Sequence, residues 1–118
     1  MLKIYTLSNC DTCRTALKWL RERGVEFEER AIRETPPSPA ELREMLQAKK
    51  GEFRPLFNTA GRDYRDQKLA EKMPQMTASG ALLLLAENGN LVKRPFVIGD
   101  GVALVGFDEE VWTTVFAK

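Results

Sequence analysis

The chain contains no histidine among its 118 residues. Imidazole acid–base catalysis and every His-containing metal site are therefore excluded. Whatever chemistry the protein carries must run on Cys, carboxylates, Lys, Arg, Tyr, hydroxyls or backbone groups. Long apolar runs are missing too: the longest, Ala81 to Ala86, falls far short of the roughly 20 residues a membrane span needs. Charge of one sign is not in excess. The formal net charge is +1, so bulk electrostatics predict neither a direct nucleic-acid partner nor a membrane partner. No secretory leader is read, because Asn9, Asp11 and Arg14 interrupt the apolar start and no small-residue cleavage site follows. The expected location is cytoplasmic. There the only two cysteines, Cys10 and Cys13, are more readily catalytic or redox-sensing than structural.

What is present suits a folded chain. Hydrophobic residues make up 43% and charged residues 30%, enough to bury a core without disulfide or metal staples. The length predicts a single domain spanning residues 1–118. Leu2 to Leu7 alternates and is rich in strand formers. Ser8 or Asn9 is placed to cap the helix that follows, and Asp11 suits its first turn. In that helix Cys13, Ala16, Leu17 and Leu20 form one buried stripe, and Gly24 stops it. Val25 to Ile32 reads as a second strand, with Val25, Phe27, Ala31 and Ile32 inward. This strand–helix–strand unit makes the two strands parallel neighbours.

Ser38-Pro39-Ala40-Glu41 is a capping box with proline at the first helical position. Its helix carries Leu42, Met45 and Leu46 inward and ends at Gly51. Phe53 to Arg65 reads as an aromatic, basic loop and Asp66 to Lys72 as a short polar helix. Thr77 caps a helix over Ala78 to Asn88 that Gly89 closes. Pro95 opens a strand, Phe96 to Ile98; Gly99-Asp100-Gly101 turns the chain and Val102 to Val105 returns. Asp108 caps a last helix with Val111, Trp112, Val115 and Phe116 facing the core. The order is β-α-β, three helices, β-β-α. That is the thioredoxin-like α/β layout, a mixed four-stranded sheet with a helical segment inserted at about residues 38–90.

Cys10-Asp11-Thr12-Cys13 is the motif with chemistry in it. Cys10 lies between a strand and a helix start, where unpaired N–H groups and the helix dipole favour a thiolate. Cys-x-x-Cys pairs in such places lower the pKa of the first thiol to roughly 3.5–7.5, and the thiolate is the nucleophile. Arg14 adds positive charge nearby. Two roles fit Cys13: a thiol that resolves a mixed disulfide, or a small buried hydrophobe on the apolar stripe. A pair of this kind can also be half of a zinc site. Here, with no other Cys and no His, two carboxylates would have to complete it, so no metal is expected. The arginines of the basic loop, Arg54, Arg62 and Arg65, are either a solvated face or a carboxylate-binding group.

The chain resembles the ArsC/Spx family of thioredoxin-like proteins along nearly its whole length. The resemblance rests on Ile4-Tyr5 before Asn9-Cys10-Asp11-Thr12-Cys13, on Leu56-Phe57-Asn58-Thr59-Ala60-Gly61-Arg62, and on Lys93-Arg94-Pro95 with Val105-Gly106-Phe107. It is closest to the YffB-like subgroup. The resemblance implies a thiol-disulfide oxidoreductase with Cys10 as nucleophile. It further implies glutathione or a thiol/disulfide protein as partner, and glutathione as co-substrate in place of any tightly bound cofactor. Arg94 matches one arginine of the triad that holds a tetrahedral oxyanion in arsenate reductases, and Pro95 the proline after it. Asn58 stands where a second arginine is expected, and Val105-Gly106 occupies the region of the third. Asn9, Thr12, Arg14, Asn58, Arg94 and Pro95 are the implied substrate-binding set, and Cys10, Cys13 and Arg94 the catalytic one. Two alternatives come with the family: glutaredoxin-coupled arsenate reduction, and an Spx-like redox-switched regulator that binds RNA polymerase. The resemblance also implies a cis peptide bond at Arg94–Pro95.

Overall fold

The computed structural model describes residues 1–117. Four strands form one sheet: β1 (Leu2–Thr6), β2 (Phe27–Ala31), β3 (Phe96–Gly99) and β4 (Val102–Val105), in the order β2-β1-β3-β4. β1 pairs parallel with β2 and antiparallel with β3, and β3 pairs antiparallel with β4. Helix α1 (Asp11–Glu22) crosses between the parallel strands, and α6 (Glu109–Phe116) follows β4. Between β2 and β3 lie α2 (Pro39–Ala48), α3 (Arg62–Asp66), α4 (Leu69–Lys72) and α5 (Ala78–Glu87), so four helices stand where three are expected. The fold is α/β and thioredoxin-like.

Alternation along the strands sorts the core into two halves. Leu2 and Ile4 of β1, Val97 of β3 and Leu104 of β4 face α1 and α6, meeting Ala16, Leu17, Leu20 and Trp112. Tyr5, Phe96 and Ile98 face the other way, onto Leu42, Met45, Leu56, Phe57 and Leu85. On the first side Trp19, Phe107, Trp112 and Phe116 pack edge-on or tilted, with ring centroids 4.8–6.1 Å apart. Such pairs add about 0.5–1.5 kcal/mol beyond their area burial.

Several local expectations need correction. The cap of α1 is Cys10 itself, whose Sγ accepts from the Cys13 N–H, and neither Ser8 nor Asn9 fills that role. β2 is shorter than expected, and Ala31 is exposed while Ile32 is fully buried, because consecutive strand residues point to opposite faces. Asp66 to Lys72 is not one helix. Tyr64 and Leu69 are both buried, yet on a straight helix they would stand about 140° apart. Lys68, in the left-handed conformation at φ 53°, breaks the helix so that both reach the core. Val111 and Val115 are 45% and 40% exposed, because Trp112 and Phe116 at i and i+4 already take the inner face of α6. Gly89 opens a 3-10 turn, Gly89–Leu91, which Asn88 caps. The loop over Phe53 to Arg65 contains a further 3-10 turn, Arg54–Leu56, and the first residues of α3. The hairpin between β3 and β4 is as read: Asp100 and Gly101 have φ 52° and 78°, the signs a two-residue turn needs to follow the strand twist.

The capping box closes as expected. Ser38 Oγ accepts from the Glu41 N–H at 3.1 Å, and Glu41 Oε1 accepts from the Ser38 N–H at 3.0 Å. The same carboxylate reaches the sheet, accepting from Tyr5 OH at 2.6 Å and Lys3 Nζ at 3.0 Å. Burial pushes the Glu41 carboxyl up, but the hydrogen bonds from Tyr5, Ser38 and Lys3 together outweigh it and hold the group below its ordinary value. Burial and the Glu41 contact raise the Tyr5 hydroxyl, which stays a donor. One side chain thus ties α2 to β1.

Two predictions follow from this packing. A carboxyl held lower in the folded chain than in the unfolded one contributes stability fully above its unfolded pKa, about 4.3. That contribution fades as pH falls through the folded value. Glu41→Gln should cost about 1–3 kcal/mol at pH 7 by urea unfolding, and the gap to the unmutated protein should close as pH falls below about 4. A gap constant with pH would show that the charge contributes nothing. At Gly89 a Cβ would overlap the carbonyl group of Ile32 and lie 3.1 Å from Arg33 Cα. Gly24, at φ 69°, has open space around it. Gly24→Ala should cost about 1–2 kcal/mol through backbone conformation alone. Gly89→Ala should cost more, since backbone must move; equal losses on thermal unfolding would refute the close approach.

Candidate functional site

β1 and β3 run antiparallel with Tyr5 opposite Phe96, so the end of β1 and the start of β3 lie at one end of the sheet. Cys10 follows the first and Arg94–Pro95 precedes the second. β2 runs parallel to β1, and the Ile32 N–H continues their ladder by donating to Thr6 O at 2.9 Å. Arg33 therefore leaves the sheet at the same end. Three chain segments converge there because of strand direction alone.

Cys10 is half-buried at the N-cap of α1, just before its first residue, and its Sγ accepts from the Cys13 N–H at 3.2 Å. This bond points a helix-end N–H at the sulfur, the arrangement that favours negative charge there. Cys13 is 1% exposed. Burial, followed by its hydrogen-bonded neighbour Cys10, pushes the Cys13 thiol up to about 12; a backbone hydrogen bond at Leu7 and, more weakly, the positive charge of Arg94 oppose this without reversing it. Both cysteines are free thiols. The two differ in access: Cys10 is half-buried and Cys13 fully buried.

The Arg94–Pro95 bond is cis, and Pro95 is buried. Arg94 is held from its far side. With its amide oxygen turned toward the guanidinium, the orientation that satisfies both groups, Asn58 accepts from Arg94 Nη1 at 3.3 Å and Nη2 at 3.1 Å. Asn58 is itself fixed by backbone. Phe57 bridges Val92, the Asn58 N–H donates to Leu91 O at 2.8 Å, and the Lys93 N–H donates to Leu56 O at 2.8 Å. Of the other implied residues, Asn9 and Thr12 are exposed beside Cys10. Arg14 is occupied, paired with Asp11 and donating to Ser8 O at 3.2 Å. Val105 and Gly106 bring no cation to the site; the Gly106 N–H donates to Pro95 O at 2.9 Å.

The basic loop divides. Arg65 donates to Ala60 O at 3.0 Å, and Arg54 lines a separate hollow with Lys49 and Lys93. Arg62 instead lines a polar cleft with Arg94 and Arg33. Arg33, together with Asn90 and Asp63, is what sequence reading missed. Arg33 Nε donates to Asn90 Oδ1 at 2.6 Å across 57 residues of chain. Asp63 accepts from Asn88 and Asn90 amides at 2.9 and 3.2 Å, and these bonds hold its carboxyl below the ordinary value. No local spacing announces such a cluster, since its members come from three separated stretches of chain. Among the described residues no group of His, Cys, Asp and Glu gathers as metal ligands, and no helix is long and apolar enough to cross a membrane.

Comparisons with known proteins place this geometry. The chain is 40% identical over 109 residues to YusI, an uncharacterized protein of Bacillus subtilis, covering 92% of each chain. It is 32% identical over 110 residues to the global transcriptional regulator Spx of Enterococcus faecalis, covering 93% of this chain and 82% of that one. The crystal structure of an ArsC family related protein from Bacteroides fragilis is 37% identical, with a TM-score of 0.90, and the likeness covers 97% of this chain and 96% of that one. The ArsC family model matches residues 5–115, which takes in both cysteines and the Arg94–Pro95 corner. With the family model spanning residues 5–115 and the fold shared with an ArsC family related protein, the chain belongs to the ArsC family.

Proposed function

We propose that the protein is a thiol-disulfide oxidoreductase that uses Cys10 as nucleophile. The observation that carries this reading is the asymmetry of the pair: Cys10 half-buried and receiving a helix-end N–H, Cys13 fully buried with its thiol pushed up to about 12. The Cys10 thiolate attacks one sulfur of a disulfide R–S–S–R′. A Cys10–S–S–R bond forms and R′–S⁻ leaves, taking a proton from solvent. A second thiolate then attacks the Cys10 sulfur and releases R–S⁻. If that thiolate is Cys13, a Cys10–Cys13 disulfide forms and an external dithiol must reduce it. If it is glutathione, glutathione disulfide results after a second exchange and the enzyme is restored directly.

The buried, proton-retaining Cys13 supports the second route, because a thiol must ionise to attack. In this reading the Cys13 N–H at the start of α1 steadies the attacking Cys10 sulfur, and Arg94 orients an anionic part of the substrate. Arsenate reduction is supported less well. Asn58 takes the place of one arginine of the anion triad and binds Arg94 instead. A second reading rests on the likeness to Spx: a redox-switched regulator in which Cys10–Cys13 disulfide formation alters docking on RNA polymerase. Co-purification with polymerase that changes between oxidised and reduced protein would favour it.

Two variants test the mechanism. Cys10→Ser should abolish reduction of a glutathionylated peptide, since serine is not ionised at neutral pH and no histidine is present to act as its base. Cys13→Ser should retain a substantial part of the activity under saturating glutathione. Full activity in Cys10→Ser would overturn the reading. Complete loss in Cys13→Ser would keep the nucleophile and reject resolution by glutathione.

A further inference from the structure

The cleft beside Arg94 is not needed for sulfur exchange itself. It gathers three guanidinium groups, from Arg33, Arg62 and Arg94, against the single carboxylate of Asp63. That carboxylate already has two partners, the Asn88 and Asn90 amides. Like charges collected in one hollow repel, so the arrangement calls for an anion that the chain itself does not supply.

The groups are also set in place. Arg33 is held through Nε by Asn90 Oδ1 at 2.6 Å, which leaves its two Nη groups as donors. Arg94 is steadied by Asn58 and by a 3.5 Å contact to Asn90 O. Asn90 sits in the 3-10 turn that Gly89 packs against Ile32, so the scaffold behind both arginines is backbone. Arg62 is exposed and its side chain makes no hydrogen bond among the described residues, free to close on a ligand. Guanidinium forks pre-set in this way suit bidentate carboxylate recognition. The cleft volume, about 520 Å³, falls within the span of small-molecule sites and exceeds what a lone tetrahedral oxyanion fills. Arg94 belongs to both places: it lines the cleft, and its charge is felt at Cys13.

We propose that Arg33 and Arg62, acting with Arg94, form a subsite for the carboxylate end of a small anionic thiol or disulfide whose sulfur reaches Cys10. The assignment rests on the thiol-exchange reading for the sulfur and on the cleft for the carboxylate, and the two can fail separately. S-methylglutathione, which carries carboxylates and no reactive sulfur, is the probe. Titrated into reduced protein, it should shift the arginine Nε–H NMR signals of Arg33, Arg62 and Arg94. Its diethyl ester should bind at least about tenfold more weakly, as should S-methylglutathione with the Arg33→Gln, Arg62→Gln double variant. With the uncharged dithiothreitol as reductant in place of glutathione, the double variant should still turn over the neutral bis(2-hydroxyethyl) disulfide at the unmutated rate. Equal binding of acid and ester, or unchanged binding to the double variant, would overturn the subsite. So would inorganic phosphate or arsenate binding the same arginines more tightly than the tripeptide. Intact binding with no turnover of any disulfide would leave the subsite standing and sink the thiol-exchange reading.

Discussion

The antiparallel pairing of β1 with β3 is the constraint on which the rest depends. Its register, Tyr5 opposite Phe96 and Ile4 opposite Val97, sends alternate residues of both strands to the same two faces. A slip of one residue would turn Phe96 toward α1 and Val97 toward α5, exchanging large and small groups across two filled cores. The same register brings the end of β1 and the start of β3 together. The placement of Cys10 and Arg94 at one end of the sheet is therefore a by-product of core packing.

The helical segment between β2 and β3 then serves the site from behind. Its attachment to the sheet runs through Glu41, which binds Tyr5 and Lys3 while completing its own helix cap. From there the chain returns by the Phe57–Val92 bridge, which delivers Asn58 to Arg94. Gly89 allows the last turn of this segment to lie on the Ile32 carbonyl, and Asn88 and Asn90 follow it into the cleft. Each of these contacts is part-buried or involves a backbone group.

How much of this is legible in the sequence follows from the range of each interaction. The stripe Cys13, Ala16, Leu17 and Leu20, the Ser38–Glu41 box, the Asp100-Gly101 turn and the Asp108 cap are all decided within four residues, and all are found in the structure. The break between α3 and α4 is not legible locally, because it answers to the burial of Tyr64 and Leu69 against distant partners. Val111 and Val115 read as core because valine is apolar, but the inner face of α6 has room only for the aromatics. At the site, Cys10 and Arg94 are legible from motif and resemblance. Arg33, Asp63 and Asn90 are not, since only the fold brings residues 33 and 90 within hydrogen-bond distance.

The account reduces to a claim about two thiols three residues apart, one half-buried and the other fully buried with its thiol pushed up by burial. Limiting iodoacetamide at pH 7, followed by peptide mapping of the reduced, folded protein, reads that claim directly. Cys10 should carry nearly all of the label while Cys13, buried and holding its proton, stays unmodified until the chain is unfolded. Labelling of the two cysteines at equal rates in the folded protein would contradict it.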